Sequence, residues 1–398
     1  MKKLAIDDLQ LQNRRVLMRV DFNVPLDGGR VADDTRIRAA LPSIKKVIEK
    51  QGKLILMSHF GRPKGQCNEK FTLRPAAKRL GELLGKDVPL APDCIGSDAA
   101  KLIENLNSGD VLLLENVRFH PGEEANDFAF AKELAAFGDV YVNDAFGAAH
   151  RSHASTTGVT KFIDHCAAGY LMAAELQALG NLLGEPARPF IAILGGAKIS
   201  GKIDVIQNLL PRVDTILVGG GMVYTFLRAL EIETGKSLVE EDRILVAKEV
   251  LDFIDSPQNE RKTKLMLPID HIIADSIDAN SGKETDTIVV DRLGVDIGSQ
   301  TTRSFMNSIL SAKTIFWNGP MGVFENSAFA KGTMAIADAV AKATESGAFS
   351  VVGGGDSVSA LMQSGLAEKI SHISTGGGAS LEFMSGKELP GVSVLTDT

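Results

Sequence analysis

One unit of pattern recurs along the whole chain. A short run of β-branched or leucine residues leads into a loop of Gly, Asn, Asp or His, and then into a stretch with helical spacing of apolar residues. The runs include Val16–Val20, Leu54–Met57, Val111–Leu114 and Val140–Val142, then Phe190–Leu194, Thr215–Val218, Lys264–Leu267, Thr314–Trp317 and Ser350–Val352. A strand with one wet face alternates apolar and polar residues. A continuous run suits a strand covered on both faces, which is the parallel-sheet case. The intervening stretches have helical periodicity, as in Ile37–Lys50, with Ile37, Leu41, Ile44, Val47 and Ile48, and in Phe128–Phe137. Strands alternating with helices predict βαβ units and a doubly wound, Rossmann-like α/β fold. The two series are separated by an apolar-periodic helix, Ala173–Leu183, and by Gly184-Glu185-Pro186-Ala187-Arg188-Pro189, whose prolines and glycine end it. Two parallel-sheet lobes of similar size joined by a helix are expected, spanning 1–170 and 190–375, with 171–189 as helix and linker.

Composition narrows what such lobes could bind. The chain has 398 residues and a net charge of −7, so no general basic surface draws nucleic acid or anionic membrane. Any anion site has to be built locally. Cys67, Cys94 and Cys166 are far apart and odd in number, which fits a reducing compartment better than a disulfide framework. No leader-like start and no apolar run near the ~20 residues of a membrane helix is seen, so a cytoplasmic setting is expected.

In open α/β sheets ligands bind beyond the carboxyl ends of the strands, and the two series differ there. The first exits into Asp21-Phe22-Asn23, with Arg36 opening the next helix, then into His59-Phe60-Gly61-Arg62, Arg118, and Arg151 with His153 just after. The arginine fork suits carboxylate and phosphate oxygens bidentately. Any one of these arginines could be a salt-bridged surface residue. Four of them with His59 at strand exits of an acidic chain fit a shared site for a small anion better. The second series exits into glycine: Gly195–Lys202, Gly219–Gly221, Asn318–Gly322, Gly353–Ser357 and Gly376–Gly378. Each alone could be a tight turn. Together they offer backbone N–H groups that can approach a polyphosphate closely.

Two familiar signatures fall short. Gly196–Lys202 nearly matches G-x-x-x-x-G-K-[ST], but Ile203 stands where the Mg²⁺-binding hydroxyl belongs. No G-x-G-x-x-G occurs, which counts against a dinucleotide-binding oxidoreductase. Asp356, after three glycines at a helix start, is either a Mg²⁺ ligand or an N-cap.

Taken in order, Arg19–Pro25, Ser58–Pro63, Leu114–Phe119, Asp144–Arg151, Gly195–Ile203, Gly219–Leu227, Trp317–Glu325, Gly353–Ser357 and Thr375–Glu382 resemble the phosphoglycerate kinase family. The resemblance implies reversible phosphoryl transfer between ATP and the carboxylate of 3-phosphoglycerate, with 1,3-bisphosphoglycerate and ADP on the other side. It implies that Asp21, Phe22, Asn23, Arg36, His59, Phe60, Gly61, Arg62, Arg118 and Arg151 hold 3-phosphoglycerate. Gly196, Lys202, Gly220, Glu325, Gly354, Gly355, Asp356 and Ser357 would hold the nucleotide, with Asp356 on Mg²⁺. Arg36, Lys198, Gly354 and Gly377 would attend the transferring phosphoryl. It also implies a monomer whose tail, 376–398, returns to the first lobe. Two positions depart from the pattern: Gly201, where the family commonly has aspartate, and Phe60, where leucine is usual and the change is expected to be tolerated.

A carboxylate acceptor is already ionised, so no general base is needed and catalysis should be positioning plus charge stabilisation. Two other readings are open from the residues: an α/β kinase or ligase acting on a different acid, and a nucleotide-binding module without turnover. Assays of phosphoryl transfer separate all three.

Overall fold

The computed structural model describes residues 3–398. The chain forms two compact units: one runs to Gln177 and resumes over Glu388–Thr398, the other is Ala178–Lys387.

In the first unit, β1 (Arg15–Arg19), β2 (Lys53–Met57), β3 (Val111–Leu113), β4 (Val140–Asn143) and β5 (Cys166–Ala168) pair in the order β3-β2-β1-β4-β5. All pairings are parallel, and Arg19 at the end of β1 registers with Met57 on one side and Asn143 on the other. Apart from the first residue of β1 and of β2, every strand residue is buried, which is why the sequence shows no polar alternation. The chain winds one way from β1 and the other way from β4, so the switch point lies between them.

The second unit repeats the plan. β6 (Phe190–Leu194), β7 (Thr215–Val218), β8 (Lys264–Met266), β12 (Thr314–Asn318), β13 (Phe349–Gly353) and β14 (His372–Ile373) form a parallel sheet ordered β8-β7-β6-β12-β13-β14. Its switch point lies between β6 and β12. A separate antiparallel sheet of β9 (His271–Ala274), β10 (Lys283–Thr285) and β11 (Leu293–Ile297) has order β10-β9-β11. Neither this sheet nor β5 is anticipated by the apolar runs. β10 is largely exposed, and β5 is Cys-Ala-Ala with no β-branched residue.

The Tyr170–Leu183 helix carries the chain from the first unit into the second. The terminal segment packs on the first unit. Thr396 accepts from Leu4 N (2.7 Å) and donates to Cys166 O (2.9 Å), Gly391 N donates to Ala149 O (2.8 Å), and Asn143 Nδ2 donates to Gly391 O (2.9 Å). Leu389 and Leu395 are buried there. No helix of the described residues is long and apolar enough to cross a membrane.

Candidate active site

Two clusters of groups form, one at each switch point. In the first unit the backbone leaving β1 is pinned by side chains from neighbouring exits. Phe22 N donates to Ser58 Oγ (2.8 Å), and Gly61 N donates to Asn23 Oδ1 (2.9 Å). Arg36, in the first turn of the Thr35–Glu49 helix, donates to Asp21 Oδ2 (3.1 Å) and to Asn23 O (3.0 Å). Arg118, in the Val117–Phe119 turn, is buried and donates to Gly61 O (2.9 Å). Its Nε lies 3.2 Å from Glu124 Oε1 without a directed hydrogen bond. Arg62 is exposed, and among the described residues neither it nor Arg151 has a carboxylate partner.

His59 shows that the cations converge. Its imidazole is held well below the ordinary range, first by burial and then by the charges of Arg19, Arg118, Arg151 and Arg36. His153 is drawn down to about 4 for the same reasons, burial first, then Arg118, Arg19 and Arg151. Phe22 is fully buried in the core, so only its backbone can face a ligand. Phe60 packs edge-on against Phe71, and a side chain at Gly61 would meet that same ring.

Beneath these residues lies a network that the sequence reading missed. Arg19, 1% exposed, donates through Nε to Ser155 Oγ (2.8 Å), and Ser155 donates from Oγ and N to the fully buried Glu123 (2.6 and 2.9 Å). Arg19 Nη2 lies 3.1 Å from His59 Nδ1. A guanidinium can only donate, so Nδ1 accepts and the ring proton sits on Nε2. His59 therefore presents a neutral N–H donor. Burial pushes the Glu123 carboxyl up, against the Arg19 charge and the Ser155 bonds. The available signal was Arg19 itself: an arginine that closes a buried apolar strand needs a partner.

In the second unit, two cavities share Gly196, Ala197 and Asp356. The smaller, about 330 Å³, is lined by Lys198, Lys202, Asn318, Gly354–Ser357 and Gly377. The larger, about 810 Å³, has Gly220 and Glu325 at its polar side and Tyr224, Leu293, Val295 and Met321 among its apolar walls. Gly354 caps the Gly355–Ser364 helix at φ +89°, and no side chain caps it. A residue with Cβ is strained at that angle, and the first turn, whose N–H groups no side chain caps, lines the smaller cavity. Asp356 therefore lies in the first turn but is not the N-cap. Ser357 Oγ accepts from Gly319 N (2.5 Å), tying the β12 exit to this helix. Lys202 donates to Asn318 Oδ1. Burial draws its ammonium down to about 8, opposed by the charge of Asp356. Asn318 Nδ2 is buried without a hydrogen-bond acceptor. The sequence reading saw the Asn318 loop only for its glycines and gave that side chain no role.

A family model described as phosphoglycerate kinase matches residues 6–387. The chain is 54% identical over 400 residues to the phosphoglycerate kinase of Chloroherpeton thalassium and 55% identical over 404 to that of Chlorobium limicola, each covering 100% of both chains. The solved structure of phosphoglycerate kinase from Coxiella burnetii superposes with a TM-score of 0.88 at 40% identity, covering 98% of each chain.

Proposed function

The chain belongs to the phosphoglycerate kinase family, and we propose that its two clusters divide that family's reaction between them. The reaction is phosphoryl transfer between ATP and the carboxylate of 3-phosphoglycerate. On this reading Asp21, Asn23, Arg36, His59, Arg62, Arg118 and Arg151 bind 3-phosphoglycerate, with backbone from Phe22, Phe60 and Gly61. Gly196, Gly220, Lys202, Glu325 and Gly354–Ser357 bind the nucleotide, with its phosphates in the smaller cavity and its nucleoside in the larger. The carrying observation is the contrast in chemistry at the two switch points: converging guanidinium groups around a neutral histidine in one, glycine backbone with two lysines and an aspartate in the other.

Asp356 would hold Mg²⁺. One carboxylate suits an ion that keeps several waters and takes its remaining ligands from phosphate. Bound there, Mg²⁺ supplies positive charge against the phosphate oxygens. Arg36, Lys198 and the backbone N–H groups near Gly354 and Gly377 stabilise the phosphoryl in flight, and no residue need act as a base. Direct transfer requires the acid and the nucleotide to meet in line, so the units must come together in the reactive state, which also excludes water. The remaining setting is read as a cytoplasmic monomer acting on small molecules, supported by the family and by the −7 net charge. Calorimetric titration of Arg151→Ala and Lys202→Ala with 3-phosphoglycerate and ADP tests the division. Each variant should lose one ligand and keep the other, and loss of both from either variant overturns it.

A further inference from the structure

Asp93, Cys94 and His120 bring a carboxylate, a thiol and an imidazole together, and the phosphoryl-transfer scheme uses none of them. Their ligand atoms all lie within 4.8 Å of one another. Asp93 Oδ1 is the hub, 2.7 Å from His120 Nε2 and 2.6 Å from the Cys94 N–H that it accepts. The Cys94 sulfur lies within 4.8 Å of both partners' ligand atoms. Well-packed backbone fixes all three. Cys94 is fully buried just ahead of the Gly96–Glu104 helix, and the His120 ring stacks on Phe130 with centroids 5.2 Å apart.

We propose that Asp93, Cys94 and His120 form a binding site for a thiophilic divalent cation of the zinc class. One sulfur, one nitrogen and one oxygen make the mixed donor set that such ions take, leaving a fourth position for water. The side chains of Asp93 and His120 are 45% and 28% exposed, which gives an entry path, while the sulfur lies at the dry end. The surroundings are acidic: Glu123 acts through space on Cys94, and Glu133 on His120. A purely local role for Asp93 accounts for its bonds to His120 and to the Cys94 backbone. It does not account for a fully buried thiol whose sulfur lies within 4.8 Å of the ligand atoms of both Asp93 and His120. Burial pushes that thiol well up, so without a cation it stays protonated and inert, and a cation has to displace its proton to bind. On binding, the Cys94 S–H bond breaks, its proton passes to solvent, and a metal–sulfur bond forms. In the cation-free site His120 Nε2 donates its proton to Asp93 Oδ1, so on binding that proton also leaves to solvent while the ring carries one on Nδ1, freeing the Nε2 lone pair. The site lies two residues from Arg118, so an occupying ion would brace the turn that carries that arginine.

The test is a Co²⁺ titration of the reduced full chain in excess Mg²⁺, which occupies sites built of oxygen alone. The expected result is one Co²⁺ per chain with a thiolate-to-cobalt charge-transfer band. Cys94→Ser and His120→Gln should each remove the band and raise the dissociation constant beyond the ~10–100-fold typical of losing only an outer partner. Cys67→Ala and Cys166→Ala should leave both unchanged. His120 lies partly at the surface, so His120→Gln keeps the test decisive if Cys94→Ser fails to fold. No charge-transfer band in the unsubstituted chain, or a band that survives both His120→Gln and Cys94→Ser, or one lost in Cys67→Ala, overturns the proposal.

Discussion

In the first unit the groups facing the switch point are the ends of long side chains, and each must be held from behind. Arg36 leans on Asp21 and Asn23, Arg118 on the Gly61 carbonyl, and His59 on Arg19, which is held by Ser155 and Glu123. In the second unit the groups facing the switch point are largely backbone, and the loops are held mainly by one another's backbone, as in Gly196 N to Pro320 O and Gly220 N to Met321 O, with the Ser357–Gly319 bond and the Lys202–Asn318 contact among the side-chain supports. Side-chain recognition needs a deep polar network and can be deleted one residue at a time. Backbone recognition needs glycine and a helix start, and its amides survive any single side-chain truncation. The two units should therefore fail differently.

The largest difference expected is one of folding. The first unit needs the terminal segment to complete it: Leu389 and Leu395 are each 2% exposed, and burying two leucines contributes about 3–6 kcal/mol. That is a large share of the ~5–15 kcal/mol that holds a domain together. A chain ending at Lys387 should lose the first unit's cooperative melting transition and all turnover while still binding ADP. A truncated chain with normal melting and turnover would show the tail to be dispensable.

Next in size is Lys198→Ala. Lys198 is exposed on the rim of the smaller cavity, so its charge should matter most where the phosphoryl is in flight. The expected loss is about 10²–10³-fold in kcat, with much less change in KM for ATP, since the backbone amides remain. Equal losses in both constants would make Lys198 an ordinary phosphate clamp and blur the contrast between the units.

Smaller still, Arg62→Ala and Arg151→Ala should each raise KM for 3-phosphoglycerate by roughly 10–100-fold, the size of one charge-assisted hydrogen-bonding group. The affinity for ADP should stay as it is, and sulfate should compete with the acid. If Arg62→Ala weakens ADP binding as much as acid binding, the division between the units is wrong.

How much of this was legible follows from the same contrast. β6 and β7 have the expected bounds, and most other parallel strands differ by a residue at an end, because burial on both faces writes itself as an uninterrupted apolar run. The glycine loops were legible for a related reason: positive φ at Gly196, Gly220 and Gly354 restricts the residue type. What could not be read was pairing across long separations. Nothing near Glu123 announces Ser155, and nothing near Ser155 announces Arg19; the fold brings them together over separations of 32 and 136 residues. The small antiparallel sheet escaped because its strands are short and its outer strand is wet. Asn318 escaped because an asparagine beside glycine reads as a turn residue, although its amide lies buried against Lys202.

The smallest effect expected is on pH, and it separates the units by sign. His59 is neutral with its proton on Nε2, so 3-phosphoglycerate affinity should show no imidazole titration between about pH 7 and 9. Lys202 differs. Its folded-state value of about 8 lies below the ordinary lysine value of 10.5, so between about pH 8 and 10.5 the unfolded chain holds more protons and stability rises with pH. A nucleotide phosphate beside Lys202 favours the ammonium and turns the dependence round. ADP affinity should be full below about pH 8 and decline above it, by at most about tenfold between pH 7 and 9 for one proton. The ligand phosphates, with second ionisations near pH 6, are already charged across that window. Calorimetric titrations at several pH values, with Lys202→Met as control, read this directly. The variant should bind ADP more weakly at pH 7 and without the decline. If ADP affinity is flat in the unsubstituted chain while acid affinity titrates, the buried cation that governs binding lies in the first unit, and the roles given to His59 and Lys202 are reversed.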